Sequence, residues 1–167
     1  MPNLQILPEC YADTALISLF VPNRQTVVHI SGITNVAKEM QEAASRKNAG
    51  IWIGLVDNDK RVPPYLIAFE TVSEQNKVFL KRKGVTDQYL IVIDKAIESF
   101  LLWNAGQVDL NVTSYGFVND VKLFGKALKT SAIGSNDRYL QFLTDLYTRQ
   151  APGFLTLECI LHGIILA

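Results

Sequence analysis

The stretch IWIGLVDNDKR, residues 51–61, joins an apolar run to a polar end that carries two carboxylates. The run from Ile51 to Val56 is apolar on both faces, which is typical of a central strand covered by helices on either side. Asp57 and Asp59 follow at the carboxyl end of this strand. Two like charges so close together disfavour ionisation of both, unless a cation or hydrogen-bond donors compensate. The stretch therefore predicts a central strand whose tip attracts positive charge.

The segments before this strand alternate between extended and helical patterns. Strands are predicted in LQIL (4–7) and TVVHIS (26–31), and helices in ADTALISLFV (12–21) and in residues 33–47. Such alternation predicts an α/β fold with a mostly parallel central sheet and helices on both faces. We expect the strands that end at Leu7, Ile30 and Val56 to be parallel neighbours.

The segments after this strand add further strands and then helices. Strands are predicted in YLIAFE (65–70), KVFLKR (77–82) and QYLIVID (88–94), and a helix in AIESFLLWNA (96–105). Helices are predicted from residue 111 onward, in residues 119–130, in residues 135–150 and in the apolar tail 154–167. We therefore expect an α/β domain over residues 1–110, with residues 111–167 forming a helical C-terminal extension packed on the same domain.

Net charge and cysteine spacing argue against several kinds of binding partner and metal site. Sixteen basic and sixteen acidic side chains cancel, so no global field attracts nucleic acid or an anionic membrane, and a phosphate-bearing partner must be held locally. Lys81, Arg82 and Lys83 form the clearest basic cluster, which suits a backbone phosphate or, more commonly, a solvated strand end. Cys10 and Cys159 lack the spacing of a disulfide framework or a zinc site.

The two ends of the chain bear on its location. The N-terminal sequence has no secretory signal pattern, which favours a cytoplasmic protein. The apolar C-terminal segment is interrupted by Glu158 and His162 and is too short for a membrane span. It is interpreted as core or as a contact in a homo-oligomer, and no membrane partner is expected.

Three pairs of acidic residues follow predicted strands. They are Glu9 with Asp13, Asp57 with Asp59, and Asp94 with Glu98. In open α/β sheets, ligands bind outside the carboxyl ends of the strands, and parallel first and third strands would bring the first two pairs together. Carboxylate groups suit Mg²⁺ or Mn²⁺, hard cations that commonly contact substrate phosphates. A metal positions a phosphodiester while a further carboxylate moves a proton.

The motifs ILPECYAD and IGLVDNDK resemble the Toprim domain of topoisomerases, primases, recombination-mediator proteins and overcoming-lysogenisation-defect nucleases. The resemblance covers roughly residues 4–98. It implies Mg²⁺- or Mn²⁺-dependent phosphodiester chemistry on nucleic acid or a nucleotide, with Glu9 as general acid/base. Asp57 and Asp59, joined by Asp13, would be the metal ligands. Cys10 stands where the family usually has Gly, and no Gly follows Asp59, so the turn after each strand must be built differently.

Other interpretations stay open. Asp-Asn-Asp is a common turn composition, and Glu9 with Asp13 suits a helix cap. Asp94 and Glu98 are candidates for additional acidic ligands, although Glu98 is better interpreted as an ordinary exposed helix residue. His29, between valine and isoleucine, is interpreted as a core histidine.

Competing functions come from different classes. One is a non-catalytic Toprim-like module that binds metal or a partner protein. The acidic triplet also resembles the site of Mg²⁺-dependent phosphatases of the haloacid-dehalogenase type, where Arg61 stands in place of the usual Thr or Val. It further resembles the Asp-any-Asp site of glycosyltransferases, which leaves Glu9 and Asp13 unused.

Overall fold

A computed structural model describes residues 3–46, 50–58 and 61–166. The strands are β1 (Leu4–Pro8), β2 (Ile51–Asp57), β3 (Glu70–Gln75), β4 (Val78–Arg82) and β5 (Gln88–Ile93). The helices are α1 (Tyr11–Ile17), α2 (Ile33–Ala44), α3 (Pro64–Ile67), α4 (Ile97–Gln107), α5 (Val121–Leu128), α6 (Asp137–Thr148) and α7 (Pro152–Ile165). Short 3-10 turns lie at Arg24–Thr26, Val112–Tyr115 and Ser131–Ser135.

The strands of the described residues form one mixed sheet in the order β1-β2-β5-β4-β3. Strands β1, β2 and β5 are parallel, whereas β4 pairs antiparallel with β5 and β3 pairs antiparallel with β4. The α/β class is confirmed, but the sheet is only partly parallel. The antiparallel part follows from short connections. A two-residue turn at Asn76 and Lys77, both with positive φ, joins β3 to β4, and residues 83–87 join β4 to β5; connections this short join antiparallel neighbours.

The segment TVVHIS does not form the predicted second strand. Its chain is extended beside β1, where Val28 N–H donates to Ile6 O (2.9 Å) and Ile30 N–H to Pro8 O (2.9 Å). Only an isolated parallel bridge joins Val27 to Ile6, since the preceding 3-10 turn and the following start of α2 leave little room for a ladder. Of the three expected neighbours, β1 and β2 are therefore paired strands, and the third borders β1 as extended chain.

The strand predicted over residues 65–70 is also wrong. These residues form α3 and lead into β3, because proline at the first helical position favours a helix start. All six residues of β3 are exposed, so this edge strand lacks the apolar alternation that reveals a strand in sequence. The other predicted strands correspond to β1, β2, β4 and β5, and the helix predictions correspond to α1, α2, α4, α5, α6 and α7.

Helices cover both faces of the sheet. On one face, β1, β2 and β5 pack against α1, α4, α5, α6 and α7, and on the other against α2 and α3. The C-terminal helices share the first of these cores: the rings of Phe100 and Phe154 stack at 6.2 Å, and Tyr139 Oη donates to Ala12 O (3.0 Å). A boundary near residue 110 stays a prediction.

Within the ranges described, none of the helices combines the length and the apolarity that crossing a membrane requires.

Candidate metal centre

Pairing of β1 with β2 places Glu9 beside Asp57. Pro8 is in register with Leu55, and Glu9 N–H donates to Leu55 O (3.1 Å), which extends the pairing one residue beyond β1. The backbone N–H of Asp57 then donates to Glu9 Oε1 (3.0 Å). The two carboxylates lie at the same end of the sheet, as expected from parallel strands.

Helix α1 adds Asp13 to these two residues. Cys10 is the N-cap of α1, with extended backbone at φ −142°, and so glycine is not required at this turn. The Cys10 thiol donates to Asp13 Oδ2 (2.8 Å) and Cys10 Sγ accepts from Asp13 N–H (3.4 Å). This reciprocal pair fixes the Asp13 side chain in the first turn of α1.

Glu9, Asp13 and Asp57 form a compact acidic cluster. One carboxylate oxygen from each lies within 4.8 Å of the others, and the three residues are 3%, 0% and 8% exposed. Buried carboxylates at this separation are stable as anions only with positive charge or hydrogen-bond donors beside them. Their oxygen atoms are ligands that hard divalent cations prefer, so the cluster could hold such an ion.

The remaining predicted acidic residues lie in other positions. Asp59 falls outside the described residues. Asp94 accepts from Asn58 Nδ2 (3.3 Å) and pairs with Lys77 Nζ (3.8 Å), and it does not belong to the cluster. Glu98 is half-buried and lines the same cleft as Glu9 and Asp57, without joining the cluster.

A cleft of about 290 Å³ opens onto the cluster. Glu9 and Asp57 line it, together with Tyr11, His29 and Lys129. Helices α1, α2 and α4 begin at this end of the sheet, where their partial positive charge favours anions such as carboxylates and phosphates. The start of α2 is fixed at Gly32, which has φ +83° and donates from N–H to Glu9 O (3.1 Å).

The surroundings shift the pKa of two titratable side chains that line the cleft. Burial, and then the nearby Asp13 charge, raises the pKa of the Cys10 thiol. The thiol therefore stays protonated at neutral pH and keeps donating to Asp13. Burial lowers the pKa of His29, which favours the neutral imidazole at pH 7.

Three residues of this cleft were missed or misjudged from sequence. His29 was interpreted as a core residue, but it is half-exposed and its ring stacks on Tyr11 at 3.9 Å between centroids. No sequence motif marked Tyr11 or Lys129 as a residue of the site. Lys129, at the end of α5, reaches the cleft only through tertiary packing. The basic cluster of residues 81–83 lies at the opposite end of the sheet, because β4 runs antiparallel to β5.

No family model, curated protein or solved structure matches the chain. Fold and site together define an α/β protein with a candidate divalent-cation centre at the carboxyl ends of two parallel strands.

Proposed function

We propose that the chain is a Toprim-like protein that performs Mg²⁺- or Mn²⁺-dependent phosphodiester chemistry on nucleic acid or a nucleotide. The observation that carries the proposal is the convergence of Glu9, Asp13 and Asp57 within 4.8 Å at the edge of a cleft. Oxygen ligands of this kind hold Mg²⁺ while leaving water on the ion for contact with phosphate. The helix starts around the cleft favour the same anionic substrate.

In this proposal, Asp57 and Asp13 are the metal ligands and Asp59 is a further ligand. Glu9 is the general acid/base. The hydrogen bond from Asp57 N–H to Glu9 Oε1 orients the Glu9 carboxylate in the cluster, where it would move a proton to or from a reacting oxygen. A divalent ion held by Asp57 and Asp13 would supply positive charge for binding the phosphodiester and for stabilising the charge that develops on it.

A second candidate is a metal-binding module without catalysis. The low exposure of the cluster, between 0% and 8%, favours it, because a catalytic ion needs an open position for substrate. The two candidates share the metal and differ in turnover.

Thermal unfolding with MgCl₂ or MnCl₂ tests the metal site. A ligand that binds only the folded chain stabilises it by about 2.7 kcal/mol at a concentration 100 times its Kd, so the Tm of the wild type should rise. Asp57→Asn should abolish the rise. Asp94→Asn is the matched control, because Asp94 lies near this end of the sheet but outside the cluster, and it should keep the rise. An undiminished response in Asp57→Asn would refute this site.

Glu9→Gln separates the enzyme from the module. Glutamine keeps an oxygen that accepts from Asp57 N–H but cannot exchange a proton, so the metal-dependent rise in Tm should persist. Cleavage of DNA, RNA and short oligonucleotides should fall by ~10²-fold or more. A wild type that binds metal and cleaves none of these substrates would instead support the non-catalytic module.

A further inference from the structure

A pair of stacked rings lines the cleft. Tyr11 and His29 lie nearly parallel, at 17° with centroids 3.9 Å apart, and both line the cleft that contains Glu9 and Asp57. Tyr11 stays 42% exposed despite the stacking. An aromatic ring left exposed beside buried carboxylates offers stacking surface to a planar ligand.

The charges around the rings narrow the chemistry of that ligand. Neutral His29 adds no positive charge to the pair at pH 7, because burial lowers its pKa. Lys129 is exposed and lines the same cleft from the C-terminal end of α5. A cation, a proposed metal ion and a ring pair in one cleft match a ligand with a planar base and an adjoining phosphate.

We propose that this cleft binds an unpaired nucleobase on the Tyr11–His29 rings, with the adjoining phosphate between Lys129 and the metal. This inference rests on the proposed function and names its substrate class, which is single-stranded nucleic acid or a free nucleotide. A duplex is disfavoured because its bases are stacked on one another and cannot reach the rings without being extruded. A cleft of about 290 Å³ is also at the small end of ligand sites.

Stacking of this kind requires no base sequence and no large basic surface. Aromatic side chains stack on any base, since every base has a π-face. The zero net charge of the chain, which is poor for gripping long duplexes, is therefore compatible with local binding of a short single strand.

Fluorescence anisotropy with a labelled deca-adenylate, as DNA or RNA, tests the inference in the presence of MgCl₂. The measurement uses the full chain in the Glu9→Gln background, in which cleavage of the strand should be slowed ~10²-fold or more. Tyr11→Ala should weaken binding roughly 5- to 100-fold, the scale of one lost base stack, while Tyr11→Trp should retain binding. An abasic decamer, which keeps the phosphates, should bind Tyr11→Ala and its Glu9→Gln parent equally. Competition with AMP distinguishes the two forms of substrate. AMP should displace the labelled strand if the cleft binds a free nucleotide, and should fail to displace it if binding requires a strand.

The contribution of Lys129 to binding is tested separately, with Lys122 as the control. Lys129→Ala should weaken binding of both the deca-adenylate and the abasic strand. Lys122→Ala, an exposed lysine on the same helix outside the cleft, should leave both unchanged. Equal binding of deca-adenylate and abasic strand by the parent, or tighter binding of the corresponding duplex, would overturn the inference. The rise in Tm with metal reports separately on the proposed metal site. Its absence with intact stacking would count against the proposed function and against the metal contact to the phosphate, whereas the base-stacking site on Tyr11 and His29 would stand.

Discussion

At the scale of the residue, Cys10 fixes the position of the Asp13 side chain. Its thiol donates to Asp13 and accepts from the Asp13 N–H at the start of α1, as a serine N-cap would. The extended backbone of Cys10 explains how the chain turns without glycine at this position. Cysteine thus joins the end of β1 to a metal-ligand candidate in the first turn of α1.

Thiol labelling across pH 7 to 9 checks this environment. The thiolate is the reactive form, and burial together with the Asp13 charge raises the pKa of Cys10. A raised pKa leaves a smaller thiolate fraction at every pH in this range, so Cys10 in a Cys159→Ala variant should react slowly throughout. Cys159 is exposed, and in a Cys10→Ser variant it should react faster than Cys10. Fast labelling of Cys10 at pH 7 would contradict the buried, protonated thiol.

At the scale of the element, α2 packs closely against the middle of β2 at Gly54. A Cβ added at Gly54 would lie 2.8 Å from Met40 Sδ, 3.0 Å from Leu90 Cδ1 and 3.1 Å from Val36 Cγ1. Glycine in the middle of a buried strand therefore allows the helix to lie close to the sheet. This contact anchors the strand that carries Asp57 to the cluster.

Gly54→Ala should destabilise the chain by about 1–3 kcal/mol, the usual cost of overpacking a close-packed core. Urea unfolding measures the change. Gly163→Ala is the control, because Gly163 is exposed in α7 with no atom near its added Cβ, and it should be stabilising by up to about 1 kcal/mol. If Met40→Ala does not reduce the penalty of Gly54→Ala, the contact with α2 is not its cause.

At the scale of the whole molecule, the helices after residue 110 complete the core of one sheet face. Phe124, Phe142 and Phe154 from α5, α6 and α7 are fully buried in the same cluster as Ile53 and Ile91 of the sheet. Among the described residues, six of the eight buried aromatic side chains lie in this core, so we expect the chain to unfold as one unit.

A fragment of residues 1–110 tests this expectation. Without α5, α6 and α7 it would expose the apolar face of α4, including Phe100 and Leu101, which are fully buried in the complete chain. The fragment should therefore bind a hydrophobic dye and show no cooperative thermal transition, whereas the full chain should show a single one. A sigmoidal transition in the fragment would mean that the helical extension is a separable unit.

The candidate site was partly predictable from local sequence. Glu9 and Asp57 each follow an apolar run, and parallel pairing of those runs leaves both at one end of the sheet. His29 was misread because a β-branched neighbourhood predicts a strand, whereas the structure places it in extended chain beside β1. The edge strand β3 was missed because its side chains are all exposed.

By itself, the sequence determined the α/β class, most of its helices and strands and the placement of Glu9 and Asp57 at one end of the sheet, because apolar periodicity and strand ends are local properties of the chain. Only the tertiary structure decided that the sheet is mixed, that Asp94 pairs with Lys77 away from the cluster, and that Tyr11, His29 and Lys129 share its cleft. These features depend on hairpin geometry and on packing between segments far apart in sequence, which no local pattern records.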